Sequence, residues 1–136
     1  CGGYDILSYP VGQRNSAQNP GNVGPFTKMS LGWLTPIEIT ASGIYNADPS
    51  FSSQEVYRLS HGYPNGEYIL IENKQDVGWD INMWDGGGIV IWYVDDSKNG
   101  NDCCQTKVAI VQADGNLDLE EKVNFGDAGD LWRSGG

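Results

Sequence analysis

Residues 66–96 read GEYILIENKQDVGWDINMWDGGGIVIWYVDD, and this stretch decides the fold. Residues 68–71 and 89–94 are apolar runs rich in β-branched and aromatic side chains, bounded by Gly, Asn and Asp. That pattern predicts two strands. The loop between them carries Trp79, Asp80, Trp84, Asp85 and Gly86-Gly87-Gly88. A tryptophan left in water forfeits ~2–3 kcal/mol of burial, so a loop tryptophan is expected to pack or to bind.

Working outward, residues 10–25 are Pro, Gly, Asn and Gln with almost no apolar spacing, which predicts a loop. Phe26, Met29 and Trp33 then fall near helical spacing behind Pro25, with Gly32 to stop the run. One short helix over 25–31 is expected, because proline suits a first helical turn. Ile37, Ile39 and Ala41 alternate with polar partners, a half-buried strand. Residues 43–53 read as loop, 56–59 as a short strand, and 61–66 as a turn through Pro64-Asn65-Gly66. A further strand is expected over 107–112 and a weaker one over 120–123. The sum is five or six short strands with one helix: a mainly β chain with no internal repeat, low-complexity tract or linker.

At 136 residues the chain is one domain's worth. Its 11% aromatic content and 19 glycines suit a loop-rich, β-rich, extracellular style of protein. No apolar run approaches the ~18 residues of a spanning helix. Net charge is −10, and residues 95–130 hold nine acidic side chains against Lys98, Lys107 and Lys122. An acidic half without a basic patch argues against nucleic acid and against anionic membranes. The plain reading of these acids is a solvated surface; the sharper one is divalent-cation binding by part of the set.

The best oxygen-ligand candidate runs from Asp95 to Asp102. Asp95-x-Ser97-x-Asn99-Gly100 mimics the first half of an EF-hand loop, but Thr106 stands where the bidentate Glu is needed. A calcium-type loop using Asp95, Ser97, Asn99, Asn101 and Asp102 is therefore expected, with simple turn formation as its alternative. Asp114-Gly115-Asn116 with Asp118, and Gly126-Asp127 with Asp130, are further acidic turns. His61 is the only histidine, so neither a catalytic zinc nor a Ser/His/Asp triad can be assembled from it. Adjacent Cys103 and Cys104 are poorly placed to bond each other. Cys1 paired with Cys103 or with Cys104 would close a loop worth ~4–5 kcal/mol, in an oxidising compartment.

Several blocks of this chain together resemble the immune inhibitor A family of secreted zinc metalloendopeptidases. Gly3-Tyr4-Asp5-Ile6-Leu7-Ser8-Tyr9 is similar to the family's G-W-D-I-M-S-Y turn, and residues 27–34 (TKMSLGWL) are similar to its K-x-x-L-G-W-L. Residues 66–96 resemble an E-Y-x-L-I-E-N-R-Q … G-W-D … G-L-L-I-W-H-V-D-D pattern. Residues 108–115 (VAIVQADG) and 126–131 (GDAGDL) match later blocks in family order.

The resemblance implies the β-rich downstream part of an α+β, zincin-like metalloprotease domain. Residues 1–35 would carry the active-site turn, loop and helix, and 36–136 the β-rich portion. Leu7 takes the position of the turn methionine beneath the zinc, and Tyr9 that of an oxyanion-binding tyrosine. The family's His-Glu-x-x-His helix would lie ahead of the first block, and these residues do not contain it. The resemblance thus implies a secreted, extracellular chain, inactive alone, that takes zinc only through an upstream segment. Its partners would be that upstream half of its precursor or another extracellular protein, with protein or peptide substrates. The alternative is a non-catalytic extracellular structural or assembly module derived from such a protease.

Overall fold

A computed structural model describes residues 22–81, 86–100 and 106–134. The two apolar runs form the longest strands, β3 (Glu67–Gln75) and β4 (Gly87–Asp95). They pair antiparallel over their full length, with Leu70 opposite Trp92 and Glu72 opposite Val90. Around them stand β1 (Ile37–Glu38), β2 (Val56–Leu59) and β5 (Val108–Ile110). The five strands make one mixed sheet in chain order, β1 to β5. Of the four pairings between these described strands, β1–β2 is parallel and the other three are antiparallel.

The helix α1 (Pro25–Ser30) begins at proline as expected. Its end is closed by the Leu31 and Gly32 amides, which donate to the Thr27 and Met29 carbonyls. The turn between β2 and β3 also falls where expected: Gly66 takes φ +89°, open to a residue without a β-carbon, and Glu67 N donates to Pro64 O.

Three expectations are corrected. Residues 43–53 are not all loop, because α2 (Ser50–Ser53) adds a one-turn helix. Residues 120–123 form a turn, in which the Glu121 and Val123 amides donate to Leu117 and Asp118 carbonyls instead of to a strand. The strand at Ile37 is only two residues long and exposed, with Ile39 N tied to Arg58 O just beyond it.

Burial alternates strictly along β3, which puts Tyr68, Leu70, Glu72 and Lys74 on one inward face. Val90, Trp92 and Val94 of β4, Val108 and Ile110 of β5, and Val56 of β2 complete the core. Leu131 belongs to this core as well, and Phe26 and Met29 of α1, with Leu34 and Leu119, pack over it. Trp92 is wholly buried at its centre. Each such large apolar side chain contributes ~2–3 kcal/mol of transfer free energy.

Candidate functional site

The inward face of the sheet is apolar until Glu72 and Lys74, which are also wholly buried. Lys74 Nζ lies 3.1 Å from Asp80 Oδ1 and 3.9 Å from Glu72 Oε1. The Trp92 indole N–H donates to the same Glu72 oxygen at 3.1 Å, and Asn22 N donates to Asp80 Oδ1 at 3.2 Å. Among the described residues, the second oxygens, Glu72 Oε2 and Asp80 Oδ2, accept no hydrogen bond. A buried charge is expensive unless paired, so this triad fixes where Asp80 can sit.

Asp80 ends the 3-10 turn Gly78–Asp80 that follows β3. Gly78 takes φ +60°, and a β-carbon there would overlap the ring of Phe51 from α2. The turn is therefore clamped twice, by Lys74 through Asp80 and by Phe51 through Gly78. What the clamps hold out is Trp79, 54% exposed.

Trp79 faces a cleft of about 520 Å³ shared with Trp33, Phe51, Ser50, Gln54 and Asn22. Trp33 is 60% exposed. Ser50 is buried, and its hydroxyl has no hydrogen-bond partner among the described residues. Gln54 adopts the left-handed conformation, φ 54°, rare for a residue with a β-carbon. Lys28 adds the only charge of the lining among the described residues.

The expected calcium loop is described in part. Asp95 Oδ1 accepts from the amide of Ser97 at 2.9 Å and from its hydroxyl, which closes a local Asx turn. These bonds hold the Asp95 carboxyl below the usual carboxylate range. Asn99 is exposed, and Gly100 bridges to Thr106. Asn101 and Asp102 lie outside the described residues. So do Leu7, Tyr9, Cys1, Cys103 and Cys104, together with Trp84 and Asp85.

Among the described residues, no group of three or more His, Cys, Asp and Glu is arranged to hold a metal ion. His61 is an exposed residue of the β2–β3 turn. In the other acidic turns, Asp114 accepts from Asn116 N, and Asp127 accepts from Gly129 N while its own N–H donates to Asp130. Their carboxylates act first as turn closers.

Two tyrosines bordering the Asp95 end of the sheet are strongly perturbed. Tyr93 hydrogen-bonds Glu67 on the neighbouring strand, and that bond, with burial, pushes its pKa up to about 12. Burial, then the charge of Asp96, raises Tyr68 to about 12 despite the Arg58 guanidinium 4.1 Å from its ring.

Sequence reasoning passed over Glu72, Lys74 and the meeting of Trp33 with Trp79. The signal for the first two was present: they stand in phase with Tyr68 and Leu70 along one strand face. Compared with known proteins, the chain matches no family model, no curated protein and no solved structure. Among the described residues no helix is long and apolar enough to cross a membrane.

Proposed function

We propose that this chain is the β-rich downstream part of a secreted metalloendopeptidase-like catalytic domain of the immune inhibitor A type, without hydrolytic activity of its own. One observation carries the reading: the sequence blocks from residue 27 onward fall on elements that frame the fold, while the first block, residues 3–9, lies outside the described residues. The K-x-x-L-G-W-L-like block is α1 and its C-terminal turn, the E-Y-x-L-I-E-N block is β3, and the I-W-x-V-D-D block is β4. VAIVQADG is β5 with the turn after it, and GDAGDL is a 3-10 turn, Ala128–Asp130, with a reciprocal Asp127–Asp130 cap. Framework segments are the ones a shared fold retains.

The described residues do not fit zinc. Three protein ligands are needed, and among the described residues no three of His, Cys, Asp and Glu are grouped to hold a metal, while the one histidine sits on an exposed turn. In this reading zinc, its ligands and the catalytic base come from an upstream segment, and the present residues supply a wall of the substrate cleft. Calcium belongs to the proposal through the Asp95 loop alone. Its support is a strand end already turned by an ionised carboxylate.

The precursor gives the test. Purified whole precursor should contain stoichiometric zinc and cleave a protein substrate in a chelator-sensitive way, while residues 1–136 alone remain inert. A zinc-free, inactive precursor recovered in an extracellular polymer would replace this reading with the assembly-module one. Melting of residues 1–136 with millimolar calcium, against chelator, reads the calcium component: binding to the folded state raises the midpoint, and an unmoved midpoint removes calcium from the proposal.

A further inference from the structure

We propose that the cleft between α1, α2 and the Gly78–Asp80 turn binds a neutral oligosaccharide, with a sugar ring stacked on Trp79. The inference is independent of the protease-like reading.

The first support is that the turn carrying Trp79 is held in place. An indole in water forfeits burial free energy, yet Trp79 is presented on a turn pinned by the buried Lys74–Asp80 pair. Phe51 is seated against Gly78 from the other side. Trp33 and Phe51 bring two more partly exposed rings to the same cleft. A turn backbone fixed before binding takes less ordering entropy from the ligand's affinity.

The second support is the polar lining. Ser50 offers a buried hydroxyl whose donor and acceptor capacity is unspent among the described residues. Gln54 and Asn22 line the same walls, although the Asn22 Oδ1 already accepts from Val23 N. A pyranose ring has an apolar C–H face suited to an aromatic plane, and a rim of hydroxyls that pair with amide and hydroxyl groups.

The third support is what the cleft lacks. No carboxylate lines it among the described residues, so a cationic ligand finds no partner. The chain's net charge of −10 repels polyanions. Its lining residues lie on helices, turns and coil instead of strands, so an extended peptide is offered no backbone ladder to join. A volume of about 520 Å³ falls within the range of small-molecule sites.

The test titrates residues 1–136 with chitotriose, cellotriose and mannotriose, read by tryptophan fluorescence and calorimetry. At least one should bind saturably by millimolar concentration. Trp79→Ala and Trp33→Ala should each weaken that binding tenfold or more, while Trp132→Phe, outside the cleft, should not. Both cleft indoles are more than half exposed, so the alanine variants should keep the parent's melting transition. Trp79→Leu serves if one does not, and should weaken binding equally. Absence of saturable binding by all three sugars overturns the proposal. So does binding that Trp79→Ala or Trp79→Leu leaves intact. A phenylalanine-containing tripeptide that saturates the same signal while the sugars do not would make the cleft a peptide site.

Discussion

Lys74 Nζ and Asp80 Oδ1 lie 3.1 Å apart in the protein interior, and through this contact the sheet dictates the position of a turn six residues further along the chain. Lys74→Met should lower unfolding free energy by about 3–5 kcal/mol, because Glu72 and Asp80 would both be left buried without their cation. Urea denaturation checks it. A loss under about 1 kcal/mol would mean that water reaches the pair and solvates it.

Gly78→Ala should cost about 1–3 kcal/mol, since the new β-carbon meets both a left-handed backbone and the Phe51 ring. The displaced turn should also change Trp79 emission before global unfolding. Thermal melts followed by fluorescence and by far-ultraviolet dichroism separate the two effects.

Alkaline titration should resolve Tyr68 and Tyr93 as late-ionising members of the seven tyrosines, both near pH 12. Their folded pKa lies above the unfolded value, so the stability they contribute is complete below about pH 10. It fades as pH rises through 12. Glu67→Gln should bring Tyr93 down toward its ordinary value and leave Tyr68 high, as seen in tyrosinate absorbance combined with Tyr→Phe controls.

Asp95 runs in the opposite direction. Its folded pKa is depressed by the Ser97 hydrogen bonds. The resulting stability is present above the unfolded carboxylate pKa and is lost as pH falls through the lower folded value. Ser97→Ala should raise the Asp95 pKa in an NMR carboxyl titration and flatten that acid dependence. An unchanged pKa would show that the hydroxyl plays no part in holding the charge.

Strands β3 and β4 were legible because β-branched and aromatic runs between turn formers leave few other structures available. The short β2 was legible for the same reason. The helix α2 was not, because residues 48–53, DPSFSS, have the composition of a loop apart from Phe51. Its single turn rests on the contact of Phe51 with Gly78, a tertiary fact. Residues 120–123 differ in the other direction: their composition suits a strand, but Val123 is 66% exposed at the end of a turn. Of the candidate site, Trp79 was visible as an unusual loop residue. Its neighbour Trp33 was not, since 46 positions separate the two in sequence and only the packing of α1 and α2 beside β3 draws them together.

The sheet tapers from its centre. Its two nine-residue strands lie inside, whereas β1 at one margin has two residues and β5 at the other has three. Pro36 immediately precedes β1 and withholds an amide from any extension of it. Amyloid-like stacking of copies requires a long, unpaired backbone rim, and the described margins offer almost none. At high local concentration this shape would protect the chain against recruiting its own kind. If it does enter an ordered assembly, the joint must be made by side chains.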